Sequence, residues 1–340
     1  MTTLTSLSTE QALADAAALL GQLDRSIQSA IVGQPTLVGE VLWALLAGGH
    51  VLLEGLPGLG KTHLVKALAR VLGVDLSRVQ CTPDLMPSDI TGSEILLHED
   101  TGGDHPGAQR GRLVFMPGPV FGNLVLVDEL NRATPKTQSA LLEAMQERQV
   151  TQGGRTHPLP RPFWVIATQN PIEVEGTYPL PEAQLDRFSM KLRVGFPDAA
   201  GLLAMVDLTL DGEPSEHLQP LLDATGVERL MHLAGQVVIA DHLKRAAVDL
   251  VLATHPDHAD PQTRGLVRYG ASPRALQALL RTARVRALAR TRAHVTLDDL
   301  AAVAPGCLRH RVLLSMDAEL AGEDPEALIG RILTGWRKRW

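Results

Sequence analysis

The sequence predicts an α/β fold, a parallel sheet flanked by helices, followed by a second, all-helical domain. Three observations carry that expectation. Short continuous apolar runs alternate with helically spaced segments up to Pro197. A glycine-rich octamer, Gly55 to Thr62, lies between one such run and the helix after it. Beyond Pro197-Asp198 the strand-like runs cease. Strands alternating with helices build parallel sheets, and reactive groups then collect at the carboxyl ends of the strands.

In chain order, Gln11 to Ala30 repeats Leu13, Ala16, Ala17, Leu20 and Leu23 at helical spacing. Gly33-Gln34-Pro35 breaks it, and a second apolar helix runs to about Ala47. Val51-Leu52-Leu53 reads as a buried parallel strand. Thr62 to Leu72 is helical, with Leu64, Val65, Leu68 and Val71 on one face. Further strands are expected at Val79-Gln80-Cys81, Leu124 to Val127, Phe163 to Ala167 and Lys191 to Val194, with a helix over Ser139 to Arg148. Val150-Thr151, Gly153-Gly154 and Thr156 to Leu159 mark a β-hairpin with a glycine tip. Ser93 to Phe121 reads as an irregular stretch with Gly102 to Pro106 at its tip. Six helices are expected after Pro197: Ala200 to Leu210, Val227 to Leu233, Leu243 to Thr254, Pro273 to Ala289, Leu297 to Val303 and Pro325 to Trp336. His255 to Arg268 is a loop among them. The division is an N-terminal helix over 1–30, an α/β core over 31–197 and a helical domain over 198–340.

Composition narrows the function classes. The 340 residues are 45% hydrophobic, enough for a substantial core, and 21% charged, too few for extensive disorder. A net charge of -6 counts against general nucleic-acid binding. Cys81 and Cys307 form no CxxC pair, and the histidines show no HExxH spacing, so neither a disulfide framework nor a zinc site is implied. The polar start, Met1 to Glu10, does not read as a signal peptide. The apolar run Val41 to Ala47 is too short to cross a bilayer. The expectation is a cytoplasmic protein with no membrane insertion.

Gly55-Leu56-Pro57-Gly58-Leu59-Gly60-Lys61-Thr62 fits GxxxxGK(S/T), with a strand before it and a helix after it. Glycines let backbone N–H groups converge on phosphates, and the helix N-terminus adds positive potential. ATP is therefore expected on Pro57, Gly58, Leu59, Gly60, Lys61, Thr62 and His63, with Lys61 on the β- and γ-phosphates and Thr62 on Mg²⁺. The apolar run Leu124 to Val127 ends in Asp128-Glu129. Buried strands seldom end in paired carboxylates without a cation to hold. Asp128 is expected to bind the Mg²⁺ through water, and Glu129 to polarise the attacking water. At the end of the next strand, Thr168-Gln169-Asn170 offers an amide to the water or γ-phosphate; spacing alone leaves a turn-forming Asn before Pro171 equally open.

These segments resemble the MoxR family of the AAA+ superfamily. The resemblance spans about Ile31 to Leu314. Val127 to Ala133 resembles the Walker B segment, Ala167 to Glu173 the sensor 1 strand end, Glu175 to Phe188 a long family motif, Gly270 to Ala275 the sensor 2 segment, and Leu308-Arg309-His310-Arg311 the terminal lid signature. The resemblance implies an AAA+ P-loop sheet with an α-helical lid. It implies Asn170 as sensor 1, Arg187 as an arginine finger in the neighbouring subunit's site, and Arg274 as sensor 2 on the γ-phosphate. Gly33 and Gln34, with Val32, resemble the segment against the adenine. Arg132 is a further candidate for the subunit interface. The glycine-tipped hairpin and the Ser93 to Phe121 stretch, an insertion in the helix 2 position, resemble parts that face a pore or a partner. Glu99 to Gln109 carries no aromatic of the kind that grips a threaded polypeptide. No metal is assigned to His98, His105 or His157.

The function implied is ATP hydrolysis with Mg²⁺ in a homo-oligomeric ring, usually a hexamer. Such a ring remodels or activates a client protein, often with a von Willebrand factor A domain protein as partner. Two alternatives stay open. One is a DNA-acting motor, for which the hairpin offers Arg148, Arg155 and Arg161 but overall acidity counts against it. The other is a nucleotide-gated binding module with little hydrolysis, against which Lys61, Asp128, Glu129 and Arg187 stand. No NKxD-type or LSGGQ-like segment is present, which disfavours a GTPase or an ABC-type ATPase.

Overall fold

The computed structural model describes residues 9–100, 109–171, 176–209, 214–261 and 263–340. The chain begins with α1 (Thr9–Gln28) and α2 (Pro35–Leu46), then β1 (Val51–Glu54) and α3 (Lys61–Leu72). Next come β2 (Leu76–Gln80), α4 (Pro87–Thr91), β3 (Gly92–Asp100), β4 (Gln109–Pro117), β5 (Leu124–Asp128) and α5 (Pro135–Glu147). The core closes with β6 (Gln149–Gln152), β7 (Arg155–Pro158), β8 (Trp164–Gln169), α6 (Glu182–Leu185) and β9 (Met190–Arg193). The C-terminal part contains α7 (Ala199–Thr209), α8 (Ala224–Gly235), α9 (Asp241–Leu252), β10 (Val267–Tyr269), α10 (Pro273–Ala289), α11 (Leu297–Leu308), β11 (Leu313–Leu314), α12 (Met316–Leu320) and α13 (Pro325–Arg337).

The main sheet has five parallel strands in the order β2-β5-β8-β1-β9. Its central strands are apolar without interruption because both faces are covered. Leu124, Leu126, Trp164, Ile166, Val51 and Leu53 point to one face, into a core shared with α1–α3 and the C-terminal helices. Val125, Val127, Val165, Ala167 and Leu52 point to the other, against α4 and α5. The register sets Gln80 beside Asp128, Val127 beside Ala167, and Leu53 beside Thr168. The carboxyl ends of β2, β5, β8 and β1 thus form one rim, where the candidate residues sit.

The helical part docks on the outer strand β9. An added Cβ at Gly306 of α11 would lie 2.3 Å from Met190 Cε, so glycine allows this helix to approach the sheet closely. The α1 helix packs against α2 and α3 and also against α8 and α10, so it bridges the two parts. Trp336 Nε1 donates to Ala246 O at 2.8 Å, which ties α13 to α9.

Several expectations change. Ser93 to Phe121 is not irregular: β3 and β4 form a long antiparallel ladder from Gly92 against Pro117 to Asp100 against Gln109. The expected tip, Gly102 to Pro106, lies outside the described residues, as do Ile172, Glu173 and Glu175 of the family motifs and Leu210. The helical part also contains a short antiparallel pair, β10 with β11, too brief to show a period-2 pattern. The Gln149–Pro158 hairpin forms as expected, with Gly153 and Gly154 at φ 58° and 75°. Those angles suit a two-residue turn matched to strand twist. His157 on β7 stacks on Phe115 of β4 at 3.9 Å between ring centroids, so the two hairpins pack together. Among the described residues no helix is long and apolar enough to cross a membrane. Both cysteines are buried free thiols, which burial pushes up to about 12.

Candidate active site

Between β1 and α3 the chain makes a tight loop in which Gly58 and Gly60 adopt φ of 80° and 76°. An added Cβ at either would meet nothing within 4 Å, so conformation requires glycine there, and the loop faces open space. Lys61 opens α3, and its Nζ donates to Gly55 O at 2.6 Å and Leu56 O at 2.8 Å. The ammonium therefore sits over the loop. Burial lowers its pKa from the ordinary lysine value, opposed by the charges of Asp128 and Glu129.

The two acids lie across the cavity. Asp128 ends β5 and is only 7% exposed. Its Oδ2 accepts from Arg78 Nε at 2.8 Å, and its Oδ1 accepts from the Thr168 hydroxyl at 3.3 Å. Glu129 follows in the left-handed region at φ 55°, a conformation costing about 1–3 kcal/mol for a non-glycine residue. Its backbone N–H donates to Thr168 Oγ1 at 2.9 Å, which helps hold the turn. Its carboxylate accepts from Gln80 Nε2 at 3.1 Å and Arg132 Nη1 at 3.0 Å. Asn170, 5% exposed, is at the end of β8, and its carbonyl accepts from Asn131 at 3.5 Å.

One cavity of about 420 Å³ joins Pro57 through His63 with Asp128, Glu129 and Asn170. Ala30, Ile31, Val32 and Gln34 line one side, while Met205 and Pro214 close over it from the C-terminal part. Gly33 is not part of this lining; its turn at φ 75° packs near Gly201 and Pro197. The cavity combines the glycine-rich loop, an apolar wall and two carboxylates. Thr62 and Asp128 offer a hydroxyl and a carboxylate, the oxygen ligands that suit Mg²⁺. Among the described residues no group of three or more His, Cys, Asp or Glu could hold a metal alone.

Arg274, expected as sensor 2 on the γ-phosphate, does not line this cavity. It lies instead in a second cleft of about 240 Å³ with Arg187, Arg148, Arg281, Asp186 and Arg311. Docking of α10 against Asp186 directs it there, with Arg274 Nη1 3.6 Å from Asp186 Oδ2. Arg187 shares this cleft, while Arg132 is paired with Glu129 of its own chain.

Sequence reasoning gave no role to Arg78, Gln80 or Thr168. All three line the cavity, and all three contact the acidic pair. Arg78 and Gln80 alternate on β2, but their relevance depends on β2 lying beside β5, which no local pattern reveals.

A profile of the ATPase family associated with various cellular activities matches residues 50–190, and one of the AAA lid domain matches residues 262–332. The chain is 43% identical to Chaperone MoxR1 of Mycobacterium tuberculosis, over 93% of this chain and 82% of that one. It is also 43% identical to the Bacillus subtilis protein YeaC, over 93% of each. A solved Cytophaga hutchinsonii structure, provisionally described as an ATPase, superposes with a TM-score of 0.85 at 36% identity, covering 96% of both chains. With the phosphate loop and acidic pair facing one cavity, these likenesses show that the chain belongs to the MoxR family of AAA+ ATPases.

Proposed function

We propose that the chain hydrolyses ATP with Mg²⁺ in a homo-oligomeric ring and uses the turnover to remodel or activate a protein client. The observation that carries this is the division of the catalytic set. The phosphate loop, Asp128, Glu129 and Asn170 face one cavity, whereas Arg187 and Arg274 face another. A site completed by the neighbouring subunit explains that division, because arginines stabilise the charge that spreads over a transferring phosphoryl group.

In this reading, Thr62 and Asp128 would hold the Mg²⁺, which would supply positive charge to the phosphate oxygens. Lys61 and the loop N–H groups bind the phosphates. Glu129 orients the attacking water and takes its proton. Asn170 positions that water or the γ-phosphate. Ile31, Val32 and Gln34 lie where a base would stack, with Gly33 turning the chain behind them. Arg187 and Arg274 serve the adjoining subunit's site. The likeness to a protein named as a chaperone supports a protein client. A hexameric ring, a von Willebrand factor A domain partner and a cytoplasmic setting belong to the same proposal. So does the division into an N-terminal helix, core and lid.

The test is Mg²⁺-dependent phosphate release by the purified chain beside Lys61→Ala. The parent should release phosphate, and the variant should bind no nucleotide in a fluorescent-ATP titration. Equal nucleotide binding by both chains would remove the phosphate loop from the reading.

A further inference from the structure

The second cleft is held together by one buried side chain from the helical part. Arg311 follows α11, and its side chain is 3% exposed. Its Nε donates to Asp186 Oδ1 at 2.7 Å, and Nη2 donates to Asp186 O at 3.0 Å and Phe188 O at 2.7 Å. Nη1 donates to Ser189 O at 3.1 Å and Cys307 O at 2.5 Å. Four of these five acceptors flank Arg187 in the chain. His310 adds a 2.9 Å bond from Nε2 to Phe188 O. The same Asp186 oxygen accepts from Ser272 Oγ at 2.6 Å. Ser272 caps α10, accepting from Arg274 N at 3.2 Å. The start of the helix bearing Arg274 and the segment bearing Arg187 are therefore pinned to one carboxylate.

The chemistry of this arrangement is specific. Buried carbonyls need donors, and a guanidinium offers five N–H groups in a fixed fork. A lysine at 311 would keep the charge but supply three donors from a single point. Among the described residues Arg187 Nε is buried without a hydrogen-bond partner, so the fork holds the backbone of this segment while leaving that atom unengaged. Arg148, Arg187, Arg274, Arg281 and Arg311 line the cleft against one acid, Asp186, an excess of positive charge suited to phosphates.

We propose that Arg311 is a positioning residue: with Asp186 and Ser272 it holds Arg187 and Arg274 as one two-arginine unit that the lid presents to the neighbouring subunit's phosphates. The proposal rests on the reading of Arg187 as acting in trans. It makes the finger's position depend on lid docking, so lid movement in one subunit changes catalysis in the next.

A double-mutant cycle on the full chain tests this. The kcat and KM for ATP are measured for Arg311→Lys, Arg187→Ala and the double variant, with assembly size from light scattering. Arg311→Lys should lower kcat on the order of 10²-fold, as a misplaced catalytic group does, with KM and assembly size unchanged. In the Arg187→Ala background the same change should cost roughly threefold or less, because residues acting as a unit are non-additive. Equal losses in both backgrounds, or no loss in either, would overturn the proposal. If Arg311→Lys does not fold, Ser272→Ala carries the cycle with Arg274→Ala in place of Arg187→Ala, with a severalfold loss that vanishes without Arg274. Should Arg187→Ala alone retain full turnover, the trans reading fails and the clamp with it. An additive cycle with a slow Arg187→Ala overturns the clamp alone.

Discussion

Glu129→Gln is expected to bind ATP as the parent does and to turn it over about 10²–10⁴-fold more slowly, the range for losing a positioned acid–base group. The amide keeps the size of the carboxylate, and its oxygen can still accept from Gln80 and Arg132. It cannot take a proton from water. The backbone turn at residue 129 rests on Thr168, not on the side chain, so the fold should persist. Rapid-mixing binding of a fluorescent ATP analogue, followed by phosphate release over hours, separates the two steps. Parent-like release would move the base elsewhere on the rim.

Arg187→Ala is expected to lower kcat about 10³–10⁵-fold, the range for an arginine supplied to a phosphoryl-transfer site. Affinity for ATP should hardly change, because Arg187 does not line the cavity proposed for its own chain's nucleotide. Steady-state kinetics at a protein concentration where assembly is complete reads both. Full turnover by this variant would remove the finger assignment.

The local parts of this site are legible in the sequence because their chemistry needs contiguous residues. The loop Gly55 to Thr62 requires its glycines in place, and Leu124 to Asp128 is apolar until the carboxylate because both faces of β5 are covered. Edge and short elements are harder to read. Only Val79 of β2 is buried, so the start of that strand at Leu76 left no apolar run. In β3, Ile95, Leu96 and Leu97 are consecutive and all exposed, which erases the alternation of an ordinary strand. The five-residue helices α4 and α12 are too short for periodicity. Arg274 illustrates a different limit. Its motif is local, but the cleft it enters is set by Ser272, Asp186 and Arg311, which meet only when the lid docks.

The most direct measurement mixes Arg187→Ala subunits with Glu129→Gln subunits and follows phosphate release. Each chain lacks what the other has, and a head-to-tail ring brings an intact Glu129 against an intact Arg187 at about a quarter of its interfaces in a random equal mixture. Turnover well above that of either variant alone is the expected result. No gain, in a mixture shown by sizing to contain mixed assemblies, would contradict a site shared between subunits.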